Sequence, residues 1–410
     1  MITLLKNSLN RSSKRRLNIA ILSVLLGCVL AKVEGNTIND SYLRYFSKES
    51  VLDSTTGSFT GFPTAFVYKN TIYLAYRYNC QHMSILGKEQ DTIYYKYSRN
   101  NGRSWSDRKK LVFPPSSQPG IYYDYRSLYV VSDHDHLYGL GVIAPSDSSS
   151  TKAYQSFYCS LNVDERGELS LDQLSCLPYV SPDGKKLSAA SSLANGRLSN
   201  VISGNFIIHD HTIYWCNYNS LRNIQLLSWK ISSTEVPNED SVKILTTIGD
   251  NGKTGKYSEA GMFLHDNTIN MSIRDEDSTN KNFAYNLLSG KTEYLCNTQS
   301  KAFGPMIFYK AGYPILLSGR QYGYLKGKEQ LTRMDNLIIL NSDNTVKKEN
   351  IGFVGHLMGG DSMYCSMVES DGRLFVFYYY GMNSSEVSAT SSYYIAYKTI
   401  KMRHLIRLCK

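Results

Sequence analysis

The residues best suited to chemistry in this chain are a tyrosine, a glutamate and a set of arginines. Tyr364 stands just before an apolar run, in Gly359-Gly360-Asp361-Ser362-Met363-Tyr364-Cys365-Ser366-Met367. Glu259 stands in the same relation to Met262-Phe263-Leu264, and Arg274 ends the next apolar run. Arg77 ends a similar run, and Arg126 follows Asp124 at the start of another. Arg320 and Arg333 lie on either side of a turn further on. Guanidinium groups bind carboxylates through paired hydrogen bonds. A carboxylate beside a hydroxyl can take its proton. Plainer readings stand next to these. Tyr364 is one of 33 tyrosines. Glu259 and Arg274 suit a structural ion pair across two strands, and each arginine suits surface charge. The His134-Asp135-His136 and His209-Asp210-His211 triplets fall at turns. No Cys/His spacing suggests zinc, so neither a metal nor a cofactor is expected.

The elements that must position these residues are repeats of one unit. An apolar run, a polar turn and a second apolar run occur at Phe66 to Arg77, Leu128 to Val142, Phe206 to Tyr218, Met262 to Arg274 and Met306 to Arg320. The sixth copy begins at Tyr364 and turns at Asp371-Gly372. Each reads as a β-hairpin. Six hairpins at irregular spacing predict an all-β fold, a six-bladed β-propeller of four-stranded antiparallel blades. The second strands of the first and fourth units align, Thr71-Ile72-Tyr73-Leu74-Ala75-Tyr76-Arg77 with Thr268-Ile269-Asn270-Met271-Ser272-Ile273-Arg274. Composition agrees: 33 Tyr against 10 Pro, and 42% hydrophobic residues, favour strands and a sizeable core. The first strand of a blade lines the channel. Glu259 and Tyr364 are therefore expected at one mouth, with Arg274 leaning over it.

Between the outer strands of the first blade lies Ser98-Arg99-Asn100-Asn101-Gly102-Arg103-Ser104-Trp105. It resembles the Asp box of sialidases, Ser-x-Asp-x-Gly-x-x-Trp, with Asn100 in place of the aspartate. Weaker traces occur at Asn341-Ser342-Asp343-Asn344 and Ser228-Trp229. From about Gly61 to Ile400 the chain resembles the sialidase superfamily. That resemblance implies Tyr364 as nucleophile, Glu259 as its base and Asp91 as the general acid. It also implies Arg274 and Arg333, with Arg320 as a rival, as ligands of the substrate carboxylate, with Arg77 nearby. A sialic acid carries its carboxylate on the anomeric carbon, where a neutral tyrosine approaches without the repulsion a carboxylate would meet. One departure matters. The family's first arginine precedes Ile-Pro, and here Gly61 precedes Phe62-Pro63. Arg126 is the candidate to compensate. The implied function is a glycoside hydrolase of acidic sugars, most simply an exo-sialidase. The alternative is a glycan-binding propeller without turnover; the Tyr378-Tyr379-Tyr380 run of the last blade resembles that of sialidase-like propellers with no assigned activity.

The ends carry separate signals. Arg11 to Arg16 and the apolar Leu17 to Leu30 read as an export signal over 1–31, cleaved after Ala31. Leu25-Leu26-Gly27-Cys28 also resembles a lipobox, which would anchor the chain through lipid on Cys28. The expected organisation is a lead-in over 32–57, the propeller over 58–402 and a basic tail over 403–410. A secreted, periplasmic or cell-surface location follows. Of the eight cysteines, Cys159 and Cys176 are the best candidate pair, either bridged or as two lone strand residues. The net charge of +10 suits an anionic glycan. No motif supports nucleic acid.

Overall fold

A computed structural model of the chain describes residues 37–38, 44–79, 92–115, 122–146, 154–188, 200–202, 204–219, 221–232, 234–249, 256–325, 331–353, 364–381 and 391–410. Six antiparallel sheets form the six blades of a β-propeller. The first blade is Phe59–Tyr68, Thr71–Asn79, Thr92–Ser98 and Lys109–Leu111. The second is Tyr122–Asp133, His136–Ser146, Gln155–Val163 and Leu169–Cys176. In the third, a broken inner edge (Val201–Ile202 and Ile207–His209) precedes Thr212–Tyr218, Ile224–Lys230 and Lys243–Ile248. The fourth is Tyr257–His265, Thr268–Asp275, Lys281–Asn286 and Thr292–Asn297. The fifth is Phe303–Phe308, Ile315–Leu325, Leu331–Leu340 and Val346–Phe353.

The sixth blade closes the ring with both ends of the chain. Ser366–Ser370, Arg373–Gly381 and Ser392–Lys401 supply three strands, and Ser50–Thr56 adds the outermost. The stretch 32–57, expected as a lead-in, thus belongs in part to the propeller. Ser50–Thr56 gave little sign of this, because its side chains are mostly exposed or half-buried. The expected basic tail is also structured. Met402–Cys409 is a helix that buries Met402, Leu405 and Cys409 against the fifth and sixth blades. Its basic residues take the other face.

Local sequence explains the hairpins. Asp371 and Gly372 have φ of 51° and 67°, the left-handed pair that a two-residue turn between twisted strands needs. Lys69-Asn70 and Asp210-His211 turn in the same way, which places the histidine triplets at turns as expected. The Asp-box octet is a turn between the third and fourth strands of its blade. Asn100 Oδ1 accepts from the Ser104 amide at 2.9 Å, and Ser98 Oγ accepts from the Gly102 amide at 2.9 Å. Trp105 packs edge-on against Phe377 of the sixth blade, 5.7 Å between ring centres. The octet therefore pins one blade to its neighbour. The trace at residues 341–344 makes the equivalent turn in the fifth blade, where Asp343 Oδ1 accepts from the Thr345 amide at 3.0 Å. Ser228 and Trp229 instead lie inside a strand.

Cys159 and Cys176 lie on neighbouring strands, as expected. Cys159 faces Leu174, however, and Cys176 faces Phe157. Both thiols are free, and burial pushes that of Cys176 up to about 11.

Candidate active site

The site is built by one device, repeated around a mouth of the channel. Glu259 is an extra residue in its strand: Ser258 pairs with Arg274 and Ala260 with Ile273, leaving Glu259 unmatched. Its φ is 29°. A β-bulge of this kind turns a side chain out of the alternating pattern and into the channel. The strained backbone costs about 1–3 kcal/mol, which the surrounding contacts must offset. The inner strand of the second blade bulges at Arg126, between Tyr125 and Ser127. In the first blade the shift falls between Gly61 and Thr64, and Phe62 there has φ 52°. The fifth blade shifts between Phe303 and Met306. Tyr364 enters just ahead of the sixth blade's inner strand.

These residues converge. The Tyr364 hydroxyl donates to Glu259 Oε1 at 2.7 Å. Glu259 Oε2 accepts from Arg274 Nη1 at 2.8 Å and from the Gly304 amide at 2.7 Å. The glutamate is thus locked on both oxygens, with its carboxylate aimed at the phenol. Gly304 is a requirement of that packing, since a Cβ there would lie 1.9 Å from the Tyr364 ring. Arg274 also donates to Glu276 at 3.0 Å. Burial opposes its charge most strongly, but Glu259, Tyr364 and Glu276 together outweigh it and hold the guanidinium above its ordinary pKa. Arg274 and Arg320 gather at Phe303, 4.3 and 4.9 Å from its ring centre. Arg320 also lies 5.3 Å from the Tyr364 ring centre. Its cross-strand partner is Asp335, a fully buried carboxyl that burial pushes well above the usual carboxylate range.

A cavity of about 450 Å³ opens over this group, lined also by Phe62, Arg126, Tyr154, Tyr218 and Arg222. Among its described lining residues Glu259 is the sole carboxylate, against four arginines. The cavity is therefore suited to an anion. The arrangement offers a hydroxyl poised to lose a proton to a fixed carboxylate, with guanidinium groups beside it.

Arg77, expected near the carboxylate site, does not line the cavity but lies one side chain behind it, next to Asp124. It is fully buried between the first two blades, donating to Asp124 through Nε at 2.9 Å and Nη2 at 2.7 Å. Asp124 captures it because the two side chains meet across the blade interface. Arg126, on the same strand as Asp124, does line the cavity, with Nε 3.6 Å from Asp124. Asp91 lies outside the described residues. Arg333 lies opposite Tyr322 in the fifth blade, and its side chain is likewise outside them. Gly61 leaves no space for a side chain, because a Cβ there would lie 2.7 Å from Phe59 and 2.9 Å from Tyr379. The sequence reading missed Arg222, Phe62, Tyr154 and Gly304. Phe62 had a signal, the place beside the departure at Gly61; Arg222 sits in a turn with none.

No protein-family model matches the sequence, and no curated protein matches it. Solved structures do. A Dyadobacter fermentans protein of unknown function superposes with a TM-score of 0.62 at 12% identity, over 87% of this chain and 99% of that one. A phage phi92 endosialidase gives 0.59 at 12%, over 87% of this chain and 69% of the other. A Trypanosoma rangeli sialidase in complex with sialic acid gives 0.56 at 12%, over 92% of this chain but 58% of its own length. This likeness establishes the fold: the chain has the six-bladed propeller arrangement found in sialidases.

Proposed function

We propose that this protein is a glycoside hydrolase acting on acidic sugars, exo-sialidase-like, with Tyr364 as its nucleophile. The observation that carries the reading is the 2.7 Å hydrogen bond from the Tyr364 hydroxyl to Glu259, inside a cavity lined by arginines. Arg274 and Arg320 take the substrate carboxylate. The Tyr364 oxygen attacks the anomeric carbon as its proton passes to Glu259 Oε1, and the bond to the leaving oxygen breaks. A general acid protonates that oxygen, the role expected of Asp91. Water then displaces the tyrosine from the sugar, giving its proton to the deprotonated general acid, and Glu259 returns the first proton to the Tyr364 oxygen. The sialic acid bound by the Trypanosoma rangeli structure supports an acidic sugar as the ligand.

The test is hydrolysis of a fluorogenic sialoside. Tyr364→Phe should cut kcat by orders of magnitude with the fold intact, and Glu259→Gln by about 10²–10⁴, the usual share of a general base. Retention of full activity by Tyr364→Phe would exclude the tyrosine mechanism. The second reading, a glycan-binding propeller without turnover, is favoured by the crowding around Gly61. Calorimetric binding of a sialoside by a wild-type protein that hydrolyses none would support it.

A further inference from the structure

Two groups of arginines line the one cavity, and Glu276 stands between them, pairing with Arg274 at 3.0 Å and with Arg222 at 3.4 Å. Arg320 and Tyr364 belong to the fifth and sixth blades, and Arg274, from the fourth, joins Arg320 at Phe303. The other group belongs to the second and third blades. Arg126 donates to the Tyr154 hydroxyl and lies 5.0 Å from that ring centre. Arg222 lies 5.6 Å from the Tyr218 ring centre. The charges of Arg126 and Arg222 both bear on the Tyr218 phenol, which burial and Glu259 push above its ordinary pKa. Asp124 holds Arg126 in place from behind. Arg222 is half exposed, with 48% of its side chain accessible, so it reaches toward the rim, while Arg126, at 13%, sits deeper.

We infer that Arg126, Arg222, Tyr154 and Tyr218 form a second anion-binding end of the cavity, and that the preferred ligand carries a second acidic group beyond the carboxylate at its anomeric carbon. Resting on the proposed function, this inference names the substrate class: a doubly anionic sugar, with its outer acidic group a carboxylate or a sulfate. A cavity of about 450 Å³ falls within the range that encloses a whole small ligand, so one molecule can span both ends. Guanidinium groups favour both oxyanions, through paired charge-assisted hydrogen bonds. The two tyrosines add hydroxyls and apolar faces for the ring between the charges.

The experiment is calorimetric binding to Tyr364→Phe protein, which removes turnover from the measurement. The ligands are a methyl sialoside, a sialic acid dimer and a sulfated methyl sialoside. The doubly anionic ligands should bind about tenfold tighter than the methyl sialoside, a difference of about 1.4 kcal/mol. The gap should shrink below roughly threefold in Arg126→Gln and in Arg222→Gln, and added salt should narrow it. A gap for the dimer alone assigns the end to a second sugar carboxylate; a gap for both ligands assigns it to oxyanions generally. Arg222→Gln keeps the test sound if Arg126→Gln unfolds, because Arg222 is at the surface. Equal binding of all three ligands overturns the inference, as does a gap that survives Arg222→Gln. Wild-type hydrolysis of the fluorogenic sialoside without any gap leaves the proposed function standing and removes only the second anion end. A gap without hydrolysis does the reverse.

Discussion

Arg77→Met separates a structural arginine from a substrate-binding one. Arg77 and Asp124 have side chains 0% and 1% exposed and share two hydrogen bonds of 2.9 and 2.7 Å. Methionine fills similar space but leaves the Asp124 carboxylate buried with its closest guanidinium gone. Breaking one side of a buried pair costs about 3–5 kcal/mol, most of it the penalty on the remaining charge. Unfolding entropy is about 2.1 cal/mol/K per residue. Over 410 residues this converts to a fall in Tm of roughly 4–6 °C. Urea titration should show a lower midpoint with an unchanged slope. The double variant Arg77→Met/Asp124→Leu should recover much of the loss, because the fully buried carboxylate is gone, and the two changes should be strongly non-additive. It should also loosen Arg126, which Asp124 holds, and so weaken ligand binding moderately. Suppose instead that Arg77→Met were as stable as wild type within about 0.5 kcal/mol and lost sialoside binding. Arg77 would then face substrate, and its assignment to the blade interface would be refuted.

Gly61→Arg should not restore the arginine that the sialidase pattern places there. Its Cβ would meet Phe59 at 2.7 Å and Tyr379 at 2.9 Å, so the substitution should destabilise by about 1–3 kcal/mol through overpacking; a rise in kcat/KM on the fluorogenic sialoside would contradict this. Asp335→Asn should flatten the pH dependence of stability. Burial raises the folded pKa of Asp335 well above its ordinary value, with Arg320 opposing less strongly, so the folded state holds this proton more tightly than the unfolded one. Its contribution is full in acid and declines as pH climbs from about 4 through the raised pKa. Urea midpoints at several pH values should show wild type losing ground to Asp335→Asn as pH rises, and parallel profiles would mean that the carboxyl does not titrate there.

The parts of this fold that were legible in the sequence are those specified by neighbours in the chain. Each inner hairpin announces itself through alternation and a turn pair such as Asp371-Gly372, and the octet from Ser98 to Trp105 marks a turn by its own hydrogen bonds. The site depends on longer reach. Tyr364 and Glu259 are 105 residues apart and Arg77 and Asp124 are 47 apart. The second strands ending in Arg77 and Arg274 look alike, yet the two arginines meet different partners. One finds Asp124 on the next blade and is sealed in the interface. The other finds Glu259 on its own blade and stays at the cavity. Nothing within either strand distinguishes them, so alignment of the repeats carries both arginines to the cavity, although only Arg274 lines it. The bulges explain the remaining gap. A period of two read through Tyr257–His265 puts Ser258 and Ala260 on one face and Glu259 on the other, whereas the extra residue lets Glu259 leave the pattern. The same slip frees Arg126 and Phe62. The cavity gains its polar lining where the inner strands stop obeying their own alternation, and periodicity alone is blind to that point. Resemblance located Glu259 and Tyr364 because it matches positions rather than faces. It offered nothing for Arg222, whose place in the cavity depends on where one turn of the third blade happens to fold.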